Sequence, residues 1–315
     1  MRRIGGSGGG REGTEGREGR EGGGWAVGII WICWYNSWCW LEVGHGPTRM
    51  VRINTDFTRR WRMARQGAAR QRVRKALIIV SLLLFPITMN YFSPYVILDG
   101  ASKGIVNGSF IMFGLMFISA LFVGRLWCGW GCPAAGLGEV CFPISDKPAR
   151  GGKLDWIKWF IWVPWIGLIA AAAISAGGYR QVNFFHLTEN GISLARPYEE
   201  IVFAFVIYYA VVGLFVVLAV TAGRRAACHY ICWMAPFMIL GRKIRNLFRW
   251  PALRLKAEPD KCTNCKKCTA NCPMSLDVNG MVQRGAMEHS ECALCGTCVD
   301  VCPKDVLRFS FSGGK

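Results

Sequence analysis

The chain has 315 residues, 52% of them hydrophobic and 18% charged, and its 38 Lys and Arg against 20 Asp and Glu give a net charge of +18. A mean hydropathy of +0.25 without a long repeat excludes collagen-like, coiled-coil and wholly disordered classes. Fifteen cysteines in short regular spacings, against four histidines, leave little room for a histidine-rich metal or haem site.

Residues 1–24 are almost entirely Gly, Arg and Glu, a composition expected to stay disordered. A Trp-rich run from Trp25 to Val43 holds Cys33 and Cys39 and is interrupted by Tyr35-Asn36-Ser37. It is barely long enough to span a bilayer, and no small-residue cleavage site marks it as a signal peptide. Residues 1–49 thus read as a low-complexity, Trp-rich extension: upstream DNA read from an early start (with Met50 or Met63 the real one), an extra span, or a docking element. Residues 50–75 form a basic cytoplasmic segment, with eight Lys and Arg and no acid from Arg59 to Lys75.

Four apolar segments follow, Ala76–Leu98, Ile105–Trp127, Trp156–Ala176 and Ile201–Ala222, each near the roughly 20 residues a membrane helix needs. Pro86, Pro94 and Pro164 interrupt them, which membrane helices tolerate. The connections 99–104 and 177–200 carry one and two basic residues, whereas 59–75, 125–158 and 223–256 carry eight, five and eight. That bias places the basic side in the cytoplasm and predicts a multi-pass protein of the cell membrane. The basic clusters then set topology and sit against anionic membrane lipid; nucleic acid is not expected as a partner. The fold class expected is an α-helical membrane protein: a four-helix transmembrane bundle over 76–256, with a C-terminal α+β two-cluster ferredoxin module over 257–315. A short stretch, Ile231–Leu240, should lie in or re-enter the inner interface, and Arg242 to Lys256 should be a basic linker.

The strongest chemical signal is C-terminal. Cys262, Cys265, Cys268 and Cys272-Pro273 are followed by Cys292, Cys295, Cys298 and Cys302-Pro303 at the same spacing. Three thiolates on one short loop wrap three corners of a 4Fe–4S cubane, and the fourth cysteine, before the proline, reaches the other cluster. Cys262, Cys265, Cys268 and Cys302 are therefore expected to hold one cluster, and Cys292, Cys295, Cys298 and Cys272 the second. Zinc ribbons also use paired CxxC units, but two triplets with distant fourth cysteines divide badly into such pairs.

A second pattern repeats about a hundred residues apart. Gly124-Arg125 precedes Cys128-Gly-Trp-Gly-Cys132-Pro133, and Gly223-Arg224 precedes Cys228-His-Tyr-Ile-Cys232. The second copy lacks the adjoining proline; Pro236 comes later. Converging thiols from Cys128, Cys132, Cys228 and Cys232 could hold a third Fe–S or other soft-metal centre, form a redox dithiol, or pack structurally. Cys141 reads as packing. No histidine pair faces across the apolar segments, so membrane haem is not expected.

Four membrane helices, a CGWGCP motif, a second CxxxC and a C-terminal double-cubane module together resemble the NapH-type membrane ferredoxins and the related membrane modules of NosR and CcoG/RdxA. The resemblance covers roughly residues 70–312. It implies membrane-bound electron transfer, often from quinol to a partner redox protein, with the functional motifs landing on the twelve cysteines above. The expected function is a relay of single electrons between quinone or quinol and another redox protein, a ferredoxin or Fe–S subunit. Alternatives are a metal-reducing assembly factor of the CcoG type, or an anchor docking a soluble ferredoxin. An external loop around His186 and an inner-face site built on Trp127, Trp130 and Arg125 are the two candidate quinone sites. The inner one is preferred, because about 30 Å of hydrocarbon separates the outer face from the clusters.

Overall fold

The computed structural model describes residues 32–34, 38–40, 51–52, 55–193 and 198–313. The chain divides into two units, Met1–Thr58 and Arg59–Lys315. In the first, β1 (Ile32–Trp34), β2 (Trp38–Trp40) and β3 (Val51–Arg52) form an antiparallel sheet with Cys33 opposite Cys39 and Cys39 opposite Val51. Where it is described, the Trp-rich run is therefore strand rather than a membrane helix, as aromatic residues in short runs favour. Residues 1–24 lie outside the described residues.

The second unit holds α1 (Thr55–Leu83) from Arg59 onward, then α2 (Phe85–Thr88), a 3-10 turn at Met89–Phe92 and α3 (Pro94–Ser102). The single helix expected over Ala76–Leu98 is thus broken twice. Pro86 stands in the first turn of α2, and Pro94 opens α3; a proline cannot continue the hydrogen-bond ladder but suits a helix start. The axis bends by 60° between Gln66–Leu83 and Phe85–Phe92. Next come β4 (Ile105–Asn107) and α4 (Gly108–Val123), where Asn107 caps the helix by accepting from the Phe110 amide at 2.9 Å. The expected second span therefore begins as a strand.

Two short helices, α5 (Leu126–Trp130) and α6 (Pro133–Val140), precede α7 (Ile157–Ser175), which keeps Pro164 in its interior. Strand β5 (Gln181–Asn183) pairs with β4 in parallel, bringing the two weakly basic connections together. Then follow α8 (Tyr198–Thr221), α9 (Ala226–Tyr230) and α10 (Ala235–Leu247). One helical run, Lys153–Ser175, is long and apolar enough to cross a membrane, or two if the bent pair counts as one span; Gly108–Val123 and Phe205–Thr221 are apolar but shorter. Four full-length spans are not formed among the described residues.

The helical core gathers Phe92 from the 3-10 turn with Ile97, Phe113, Met116, Ile169, Met238 and Ile239 from α3, α4, α7 and α10. Helix α10 lies directly on α4, because a Cβ on Gly241 would come within 2.8 Å of the Phe117 carbonyl. The stretch expected at the interface is accordingly buried in protein. The expected linker is not a linker either. Arg242 and Arg245 are buried within α10, and β6 (Ala252–Ala257) already pairs antiparallel with β7 (Leu307–Ser312). Between these strands sit α11 (Lys267–Ala270), α12 (Val278–Gln283) and α13 (Thr297–Asp300), over a second core of Met274, Leu276, Met281, Val282, Leu294 and Leu307.

Candidate iron–sulfur centres

The cysteines of the C-terminal module line two cavities. One cavity is lined by Cys262, Cys265, Cys268 and Cys302, the other by Cys272, Cys292, Cys295 and Cys298. Burial pushes the Cys272 thiol up to about 12, helped by Cys295 and Cys292; burial also raises Cys298, beside Cys295, Cys292 and Cys272. Among the described residues no three His, Cys, Asp or Glu side chains come close enough to share one metal ion. Ligands of a single zinc would converge that tightly, whereas the ligands of a cubane each hold a different iron and stand wider apart. The donor set, all sulfur and four to a cavity, fits a 4Fe–4S cluster in each.

The CxxxC repeat is built from one turn of helix on each side. Gly124 and Gly223 take positive φ, 60° and 108°, and redirect the chain. Cys128 then sits in α5 and Cys228 in α9, while Cys132 leads into α6 through Pro133. Pro236 in the first turn of α10 takes the part of the proline missing after Cys232. The structural counterpart of Arg125 is Arg225, not Arg224: Arg125 and Arg225 each precede the cysteine helix and are buried. Arg224 instead pairs with Asp146 at the surface.

The four thiols lie within electrostatic reach of one another. Burial raises Cys132, with Cys128, Cys228 and Cys232 adding to it, and lifts Cys232 to about 12 against the opposing pull of Arg125. Cys128 Sγ also lies 3.3 Å from Met238 Sδ. Three buried donors border this chamber without a partner: Arg125 Nε, Arg225 Nε and Trp127 Nε1. Unpaired buried donors are costly, and both guanidiniums lie within electrostatic reach of the thiols.

Buried ion pairs tie the chamber to the ferredoxin module. Glu291 accepts from Arg125 at 2.7 Å and Lys158 at 2.6 Å. Burial alone would raise its carboxyl, but Arg125 and Lys158 outweigh that and hold it down at about 2. Glu139 accepts from Arg74 at 2.6 and 2.9 Å and also from Arg225, while Arg225 Nη1 donates to the Cys128 carbonyl at 3.2 Å. Four further donations clamp the second cysteine loop: Arg125 to Ser290 O (3.0 Å), Arg242 to Cys292 O (3.2 Å), Trp130 Nε1 to Leu294 O (3.2 Å) and Gln71 to Cys295 O (3.1 Å). Sequence reading missed Glu139, Glu291, Gln71 and Arg225. Only Lys158 left a signal, as a charge inside an apolar segment.

These contacts also correct the expected inner quinone site. Arg125 and Trp130 are committed to the ferredoxin loop and are not open to a ligand. His186 bonds Asp99 at 2.7 Å, beside the β4–β5 pair and away from the cysteines. Cys141 is buried with no thiol beside it that shifts its titration.

Comparison with known proteins gives two matches to family models, a 4Fe–4S dicluster domain over residues 261–307 and a 4Fe–4S binding domain over residues 106–149, which includes Cys128 and Cys132. Two uncharacterised proteins of Methanocaldococcus jannaschii are similar. One is 23% identical over 62% of this chain and 68% of its own length, the other 24% identical over 67% and 82%. YccM of Escherichia coli K12, named as a candidate electron transport protein, is 23% identical over 69% of this chain and 59% of its own length. No solved structure matches the chain. The chain is an iron–sulfur protein with two 4Fe–4S binding domains and a distant relation to YccM.

Proposed function

We propose that this protein is a membrane-bound electron relay, of the NapH-like type, that moves single electrons between the quinone pool and a redox protein partner. The observation that carries the reading is the contiguity of three sulfur sites. The Cys262/Cys265/Cys268/Cys302 cavity, the Cys272/Cys292/Cys295/Cys298 cavity and the Cys128/Cys132/Cys228/Cys232 chamber succeed one another from the ferredoxin surface into the helical body. A bound 4Fe–4S cluster supplies one-electron exchange without proton or group transfer. The chain's own residues hold the thiols apart, exclude water from the inner two sites and place positive charge beside them through Arg125, Arg225 and Arg242. The same cationic surroundings and unpaired donors support a third Fe–S centre in the chamber. The proximity of Cys128 and Met238 sulfurs favours, as a second reading, soft-metal reduction of the CcoG type.

Membrane residence is supported by the surface of the helices. Only 11% of the apolar window in Lys153–Ser175 is buried, and Phe160, Val163 and Ile174 are exposed, as are Leu115, Ile118 and Phe122 on α4 and Val206 and Val217 on α8. A core helix would be covered, and such a belt supports contact with lipid. With the basic side inward, the ferredoxin module is cytoplasmic. For quinone we favour the open cleft between α1 and α6, where apolar Ile78, Ile79 and Val140 meet Lys75 and Thr297. Thr297 Oγ1 lies 3.5 Å from Cys295 Sγ.

The test is anaerobic stopped-flow on the detergent-purified protein, reduced with dithionite and mixed with a menaquinone analogue. Saturable reoxidation that is lost in I79W is expected. Slow, unsaturable reoxidation would sink the quinone reading and leave soft-metal reduction. Iron per chain decides separately: about twelve places a third cubane in the chamber, about eight leaves only the ferredoxin pair.

A further inference from the structure

The two cysteine loops of the ferredoxin module repeat one another in backbone but not in surroundings. In the second loop Leu294 and Gly296 take the left-handed region, at φ 50° and 79°; in the first, Asn264 and Lys266 do so, at 54° and 55°. Glycine adopts that region without steric cost, whereas the Cβ of a lysine opposes it. Gly296 is buried, and a Cβ there would meet Phe309 at 3.1 Å. Lys266 is exposed. A lysine therefore occupies a loop position where its backbone is disfavoured, and it does so only in the loop that faces outward.

The cover differs in the same sense. Side chains of the helical body clamp the second loop through its carbonyls. Around the first loop the described residues show one such donation, Arg224 Nη1 to Ala270 O at 2.6 Å, and it falls beyond Cys268; Thr263, Cys265, Lys266 and Lys267 are all exposed. Lys266, Lys267 and Lys304 line the mouth of the Cys262/Cys265/Cys268/Cys302 cavity, no carboxylate lines it, and none of the three lysines forms an ion pair among the described residues. Lysine charge left unpaired at the open end of a sulfur site orients a partner of opposite sign and speeds its encounter.

We propose that this lysine face is the docking surface for an acidic, soluble one-electron carrier protein. It deepens the relay reading and rests on it: the carrier exchanges one electron with this end of the chain, lost on one side and gained on the other, with no bond or proton changed. Lys266, Lys267 and Lys304 are positioning residues for that encounter.

The experiment measures binding of an acidic plant-type 2Fe–2S ferredoxin and of an acidic flavodoxin to the full, cluster-loaded chain in phosphatidylcholine nanodiscs, by biolayer interferometry. Wild-type binding should weaken steeply as salt rises from about 50 to about 300 mM. The triple variant K266E/K267E/K304E should weaken it by at least about tenfold, with visible absorbance and iron content unchanged. K266G, which relaxes the left-handed loop backbone, should also bind more weakly. The control K147E/K153E, at exposed lysines elsewhere, should bind as wild type does. Absence of binding, equal loss in the control, or binding unchanged in the triple variant would overturn the proposal. Loss of saturable quinone reoxidation in a protein that still binds the carrier would remove the relay reading and leave the docking face standing.

Discussion

Glu139 shows how much of this molecule depends on single buried charges. Its carboxylate serves both Arg74 and Arg225, and Arg225 in turn bonds the backbone of Cys128. Burial would raise its carboxyl, but Arg225 and Arg74 together hold it below the ordinary 4.5. The folded form therefore binds the proton less readily than the unfolded chain. This contribution to stability is complete above the unfolded value and is lost as pH falls through the folded one. E139Q should destabilise the protein near neutral pH by about 3–5 kcal/mol, because two guanidiniums lose their buried partner. The gap between wild type and variant should narrow below about pH 4.5. Denaturation midpoints followed by tryptophan fluorescence from neutral to acid pH check both; a gap independent of pH would refute the assignment.

At the scale of elements, the contact that seats the ferredoxin module is α10 on α4. Gly241 allows it, since any side chain there would strike the Phe117 carbonyl and the Ala120 side chain, which a Cβ would approach to 2.9 Å. From α10, Arg242 and Arg245 reach Glu288, so the helix joins the apolar body to the cluster-bearing loops. G241L should force the helices apart and cost about 1–3 kcal/mol, as overpacking of a close contact does. Hydrogen exchange measured by mass spectrometry should rise over 235–247 and 288–298 together. Protection lost only over α10 would show that the module is seated by other contacts.

For the whole molecule, the balance between cluster and chain is decisive. Among the described residues the C-terminal module pairs two strands with three helices of six residues or fewer, so its core alone is small and bound clusters must supply much of its folding energy. Removing iron by chelation under reducing conditions should abolish exchange protection from β6 through β7 while α4 and α7 stay protected. Uniform loss of protection would mean that the helical body also depends on the clusters.

The sulfur chemistry was legible in the chain itself, because a CxxCxxC loop is closed by local geometry and its spacing survives any tertiary arrangement. The apolar stretches were legible as apolar, yet Pro86 and Pro94 turn the first of them into three short pieces, since hydropathy averages over a window in which two helix starts are invisible. Spacing after Gly223 also favoured Arg224 over Arg225, and only the one-residue difference in how the chain turns there reveals the true counterpart of Arg125. Glu291 with Arg125 and Lys158, and Gln71 with the Cys295 carbonyl, join positions far apart along the chain. No local pattern selects such partners; the shared burial of opposite charges, which must pair once water is removed, could be decided only by the folded structure.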